Sequence, residues 1–172
     1  MTIRRLNRLA FALMLCVLLL ASSLARAGAL TDYAENKLID AVLRGQSLGA
    51  PATFYVALYT VCPTDSTAGT EVSGGSYARV PVPSSLANWA GTQAAASTVA
   101  SSGSSGSTSN NASLSFPSPT GNWGSVLCWG LVDAASSGNL WIYSALSAAK
   151  SVNNGDAAPV FGAGAATFQI DN

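Results

Sequence analysis

Between Asn122 and Leu146 two runs rich in β-branched and aromatic residues, Ser125–Val132 and Leu140–Leu146, flank a polar stretch holding Asp133, Ser136, Ser137, Gly138 and Asn139. Strand, glycine-containing loop, strand is the pattern of a β-hairpin. In the first run one parity carries Val126, Cys128 and Val132, and the other carries Leu127, Trp129 and Leu131. Neither parity is polar. The strand is therefore expected to be covered on both sides, inside a sandwich or at a subunit contact, and to form the centre of the core.

Upstream, Thr53–Val61 repeats the pattern, with Phe54, Val56 and Leu58 on one parity and Tyr55, Ala57 and Tyr59 on the other. Tyr77–Val82 reads as a short strand, which Pro81 and Pro83 demote to an edge or bulged position. Ala112–Phe116 and Ala165–Ile170 are further short strands, and Lys150–Asp156 is a loop centred on Asn154-Gly155. The Ser/Gly-rich stretch Ala94–Ser113 has the composition of a flexible linker. It also fits a strand-loop-strand with a mobile loop around 101–111, the reading favoured by its direct continuation into Ala112–Phe116.

Leu30–Arg44 carries the helical period instead. Thr31 or Asp32 can serve as N-cap, Asp32 and Glu35 have capping-box spacing, and Gly45 is a stop. Ala34, Leu38, Ala41 and Val42 form a narrow apolar stripe, suited to packing on a sheet or on a neighbouring subunit. The pattern as a whole predicts an all-β, antiparallel β-sandwich with one N-terminal helix at about 31–44.

The first 27 residues do not fit that pattern. Arg4, Arg5 and Arg8 make a basic start, Leu9–Leu20 is an unbroken apolar run, and Ala25-Arg26-Ala27 is a small-x-small exit. This is the three-part form of a secretory leader of the general export route, and the run is short for a membrane span. An uncleaved N-terminal anchor is the alternative. Residues 28–172 are then a single domain that is secreted, periplasmic or extracellular, with no membrane association after leader cleavage.

Removing the leader changes the charge. The whole chain of 172 residues has 8 basic and 8 acidic side chains. The leader removes 4 of the basic ones, so the remaining 145 residues carry 4 − 8 = −4. So few charges leave Ser, Thr, Asn and Gly to supply the polar surface. With no basic patch, nucleic acid is not an expected partner.

The chain has no histidine, which removes Ser-His-Asp and Cys-His sites and the commonest metal ligand. Asp65, Glu71 and Asp133 could in principle assemble a two-carboxylate glycosidase site, but carboxylates in β loops are usually solvated turn residues. Ser147-Ala148-Ala149-Lys150 matches Ser-x-x-Lys without its partner motifs. Asn111-Ala112-Ser113 is a glycosylation sequon by pattern only. The reading contains no catalytic residue, no metal site and no cofactor.

Cys62 and Cys128 are the two cysteines outside the leader. In an exported chain they could pair as a disulfide, or remain as two buried thiols. Among the aromatics, Trp129 and Trp141 read as core. Trp89 and Trp123, each preceded by Asn and close to a loop, are the candidates for an exposed contact.

The segments LTDYAENKLIDAVLRG, PATFYVALYT, GTEVSGGSYARV, LANWAGTQ through TSNNASLSFP, NWGSV, GLVDAASSGNLWIYSAL and SVNNGD occur in this order over about residues 28–172. In that order they resemble a family of small tailed-phage structural proteins, whose members are labelled tail fibre, tail or virion decoration proteins. The resemblance implies a compact, jelly-roll-like β-sandwich that acts by assembly and not by catalysis. Two departures stand out: members of this family usually begin near the helix, and a matched Cys62/Cys128 pair is not expected in them. Both fit a version of the fold that works outside the cytoplasm, such as a domesticated phage gene.

The functional expectation is a non-catalytic structural protein that forms a homo-oligomer or filament, or decorates a virion or extracellular assembly. Leu38 and Val42 on the helix and the loop around Trp89 are the expected contacts. The alternatives are an exported glycan-binding module or adhesin, taking a surface glycan at Trp89 or Trp123, and then a small hydrolase.

Overall fold

A computed structural model of the protein describes residues 29–170. The leader assigned to residues 1–27 lies outside the described residues. Strand β1 (Ala29–Leu30) leads into helix α1 (Asp32–Leu43), followed by β2 (Thr53–Val61), β3 (Thr70–Glu71) and β4 (Val80–Pro83). Then come β5 (Ser107–Ser109), β6 (Leu114–Ser115), β7 (Gly124–Val132), β8 (Leu140–Val152), β9 (Val160–Phe161) and β10 (Thr167–Gln169). A six-stranded antiparallel sheet has the order β1-β8-β7-β2-β3, with β4 also paired to β2. Two two-stranded ribbons, β10-β5 and β6-β9, complete an all-β antiparallel sandwich.

Strands β2 and β7 occupy the middle of the large sheet, pairing from Tyr55–Val132 to Tyr59–Cys128. Their apolar residues on both parities are used on both faces. Val56, Leu58, Trp129 and Leu131 point into the main core, where Leu114, Phe116 and Ala166 from the other layer meet them. Ala57, Tyr59, Cys128 and Val132 form a smaller cluster on the opposite face. Burying a side chain of this size contributes about 1.5–3 kcal/mol, so this crossing is the stability centre of the fold.

The hairpin β7–β8 departs from simple alternation. Val126 pairs with Lys150 and Cys128 with Ala145, so Leu127 alone faces Leu146–Ala149. A bulge shifts the side-chain parity. That is why Val126 joins Trp129 and Leu131 in the main core instead of staying with Cys128. The turn between the strands is closed by Asp133, whose carboxylate accepts from the Asn139 backbone N–H at 2.7 Å and from Trp141 Nε1 at 3.2 Å. Gly138, at φ 81°, leaves no room there for a Cβ, which would lie 2.5 Å from Asp133 Oδ1.

Several boundaries differ from expectation. Strand β8 runs to Val152, through residues expected to open the loop, because it resumes pairing with β7 beyond the bulge. Strand β4 covers Val80–Pro83 and leaves Tyr77 in a turn. Its two prolines are tolerated because β4 pairs only with β2 and sits at an edge. The expected strands at Ala112–Phe116 and Ala165–Ile170 shrink to β6 and β10.

The Ser/Gly-rich stretch enters the fold through β5, which pairs with β10, and through a Trp89–Asn110 bridge. Its loop is crossed by side chains. Gln93 Nε2 donates to Ser97 Oγ at 2.7 Å, Gln93 Oε1 accepts from Ser102 N–H at 3.1 Å, and Ser105 Oγ donates to the Thr92 carbonyl at 2.7 Å.

Candidate assembly surface

Helix α1 starts where its sequence offers a cap. The Thr31 hydroxyl accepts from Ala34 N–H at 3.4 Å and donates to the Leu140 carbonyl, and Thr31 N–H reaches the Trp141 carbonyl at 3.0 Å. The first turn of the helix is thereby tied to the start of β8. Asp32 and Glu35 lie at its positive end. Tyr33 packs edge-on against Trp141, with ring centroids 5.4 Å apart.

At about 100° per residue, Ala34 and Ala41 share one side of the helix, whereas Leu38, Ile39, Val42 and Leu43 form a stripe on another. Only Ala34 of the helix is buried. Leu38 and Ile39 are 41% and 50% exposed, and Val42 and Leu43 are 69% and 78% exposed. The stripe read from sequence therefore divides: its small residue packs inward, while Leu38 and Val42 face out together with Ile39 and Leu43. These last two were missed, although their i, i+4 spacing repeats that of Leu38 and Val42. Beyond them Arg44 and Asp40 form an ion pair at 2.8 Å.

A second apolar feature, open among the described residues, lies on the other side of Trp141. A cleft of about 530 Å³ is walled by Phe54, Trp89, Ile142 and Leu86 and floored by Leu131 and Phe168. Trp141 meets Phe54 edge-on at 5.7 Å and so stands between the cleft and α1. Three serines, Thr108, Ala90 and Gly91 complete the lining, with no charged side chain among them. Some of these hydroxyls are already engaged: Ser84 Oγ donates to the Pro51 carbonyl and Thr108 Oγ1 to the Ala90 carbonyl, each at 2.7 Å.

Of the two tryptophans expected at an exposed contact, Trp89 borders this cleft and is half-buried. Trp123 does not lie at the surface. It is 4% exposed, packs on Tyr77 at 5.3 Å, and its Nε1 donates to the Gly75 carbonyl at 2.9 Å. The physical reason is a close backbone approach: Gly75, at φ 52°, has no space for a Cβ, which would sit 2.9 Å from Gly121. That approach brings a carbonyl to the indole, so the ring can be buried with its N–H satisfied.

Cys62 and Cys128 are joined by a disulfide, with Cα atoms 5.3 Å apart. Cys62 follows the end of β2, and Tyr59 pairs with Cys128 across the ladder, so the bond links the two central strands.

The carboxylates considered for hydrolysis each have a structural partner. Asp65 accepts from Tyr143 Oη at 2.6 Å. Glu71 binds Arg79 through both oxygens, at 2.8 and 2.7 Å, and accepts from Tyr77 Oη. Arg79 also donates to the Ala134 and Ser137 carbonyls, and its guanidinium pKa is raised chiefly by the Glu71 hydrogen bonds. Burial works to raise the pKa of Asp133, but donors from Asn139 and Trp141 outweigh it and hold the carboxyl below its usual range. Burial, with the Glu71 charge second, pushes Tyr59 up to about 12.

Ser147 and Lys150 lie on exposed β8 backbone. The Asn111 amide nitrogen faces the carbonyls of Leu86, Ala87 and Ser97, which occupies the atom a glycan would use. Among the described residues, no group of three or more His, Cys, Asp or Glu side chains could hold a metal ion. Sequence reading also missed Asn110, which is 1% exposed. Its amide donates to the Ala112 and Gly162 carbonyls and accepts from Ala166 N–H, all at 2.8 Å.

A family model described as "Podophage GP4 fiber I protein gp80" matches residues 29–169. No curated protein matches the chain.

Proposed function

The chain belongs to the podophage GP4 fiber I protein gp80 family, and on that premise we propose that it is a non-catalytic structural protein that works by binding copies of itself, building or decorating a virion or extracellular assembly. The observation that carries this reading is the outward stripe of Leu38, Ile39, Val42 and Leu43 on α1. Isolated exposed aliphatics are ordinary, but a contiguous apolar face is a mark of an interaction surface. A surface poor in charge offers little resistance to self-association.

The place of action is outside the cytoplasm. The leader pattern at residues 1–27 and the Cys62–Cys128 bond both support this, since disulfides persist in oxidising compartments. Mass spectrometry of the exported protein should find a chain beginning at Gly28. Intact residues 1–27 on a soluble cytoplasmic protein would refute the export reading.

Sedimentation of the exported chain at increasing concentration tests assembly. The expected result is a concentration-dependent oligomer or filament that Leu38→Asp weakens while leaving the circular dichroism spectrum unchanged. A monomer at high concentration that binds a polysaccharide would replace this reading with that of an adhesin, with Trp89 as the first residue to mutate.

A further inference from the structure

We propose that the outward face of α1 in one copy seats in the Trp89 cleft of a second copy, so that the assembly contact joins two different surfaces. This rests on the assembly reading above and names the partner surface for the helix. Each chain carries a convex apolar feature, Leu38, Ile39, Val42 and Leu43, and in the Trp89 cleft a concave apolar one; a further apolar cleft beside Leu146 and Phe161 is smaller, about 220 Å³, and has Lys150 in its lining. The cleft reaches the core, because Leu131 and Phe168 at its floor are each 4% exposed. At its mouth Leu86 is 53% exposed.

The helix cannot fill the cleft of its own chain. Its N-terminus is fixed to β8 through Thr31, and Trp141 stands between the two features, contacting Tyr33 on one side and Phe54 on the other. A second copy has no such restriction.

Charge and area both favour the cleft over a helix-to-helix contact. The cleft is lined by neutral side chains, and the charges flanking the stripe's far end, Asp40 and Arg44, neutralise each other at 2.8 Å. The helix end therefore enters a neutral site without bringing net charge into it. A helix of 12 residues is only about 18 Å long. Two such helices side by side cover little of the roughly 800 Å² per partner that a stable interface buries. A helix end set in a cleft is met by more than one wall, with the exposed 45–50 segment following it in the chain and Leu86 at the rim.

The contact is heterologous, and every copy presents both halves. It therefore either propagates head to tail or closes by symmetry.

Two variants at exposed positions test the pairing. Val42→Asp with Leu43→Asp disables the helix face, and Leu86→Arg places a charge at the mouth of the cleft. Each exported variant is checked for a wild-type circular dichroism spectrum and melting temperature before analytical ultracentrifugation. The expected result is that each alone is at least about tenfold weaker in assembly than wild type, whereas a one-to-one mixture recovers a heterodimer and stops there. In that mixture each variant supplies the half the other lacks. If Leu86→Arg assembles like wild type, the helix pairs with some other surface; this inference falls and the assembly reading stands. If the mixture remains monomeric, the inference also falls. A wild-type protein that is monomeric throughout removes both.

Discussion

Val56 in β2 is fully buried, and Val42 in α1 is 69% exposed. The two valines both belong to apolar patterns, one with the period of a strand and one with that of a helix. Around Val56 the pattern is used on both faces of the sheet, by the main core and by the small cluster that includes Cys128. Around Val42 it stays exposed among the described residues. The difference shows that an apolar pattern specifies a face to be covered without specifying the cover. At the β2–β7 crossing the chain provides it, and at α1 the cover proposed above is a second copy of the chain.

The largest effect that would sharpen this contrast is expected on the sheet side. Trp123→Ala should cost about 5 kcal/mol in urea denaturation, chiefly through the cavity, with the Gly75 carbonyl losing one of its two donors and keeping the Thr120 N–H. A loss below about 1 kcal/mol would mean that the core does not depend on that ring. Removing the disulfide by Cys62→Ser with Cys128→Ser comes next. Closing a loop across a sequence separation of 66 is worth about 4 kcal/mol in the chain-entropy account. Thiol labelling of denatured, unreduced protein provides the accompanying check, and two reactive thiols per chain would show that the bond is absent.

Asn110→Ala should cost about 2 kcal/mol, because it leaves the Ala166 N–H and the Ala112 carbonyl without the Asn110 amide, while the Gly162 carbonyl keeps the Ala165 N–H. The pH dependence is a milder probe of the sheet, at the small cluster on its opposite face. The Tyr59 phenol is raised by burial from its ordinary value of 10 to about 12, so the neutral form is favoured by folding. Its contribution should be intact below pH 10 and fall away as the pH climbs towards 12. Alkaline absorbance titration of the five tyrosines checks this, with Tyr59→Phe expected to remove part of the late-titrating signal.

The smallest stability effect is expected on the helix. Leu38→Asp should change folding stability by no more than about 0.5 kcal/mol, as for other surface positions, while shifting the sedimentation profile. A large loss of stability there would show that α1 is part of the folding core and would erase the contrast with Val56.

Residues whose local pattern and environment agree were legible from sequence. Thr53–Val61 carries strand-forming residues on both parities and forms β2 with those bounds. Thr31, Asp32 and Glu35 mark a helix start that needs no distant information. Trp123 was misread because Asn122 and Gly124 suggest a surface loop, whereas its burial depends on Gly75 and Gly121 approaching each other from separate segments. Asn110 sits in a run of Ser, Gly and Asn that looks uniformly solvated, and only tertiary contacts single it out. The end of β8 was missed because Ser, Ala and Lys alternate weakly, and its pairing resumes only across a bulge. At the candidate surface, Leu38, Val42 and Trp89 were visible in the sequence. The cleft was not, since Phe54, Leu86, Ile142 and Phe168 come from four distant stretches.

The bulge in β8 bears on what kind of polymer this chain can become. Strand β1 covers β8 only opposite Ile142 and Tyr143, and among the described residues no strand lies along the outer edge of Ser144–Val152. A straight edge of that length, rich in Ala and Ser, would invite cross-β growth by templating a strand from any neighbouring chain. Leu146–Ala149 are set against Leu127 alone, so the edge is corrugated where such growth would begin, and Lys150 adds a charge beside it. Edge-to-edge strand addition along β8 is thereby disfavoured, although the surface around it carries few charges.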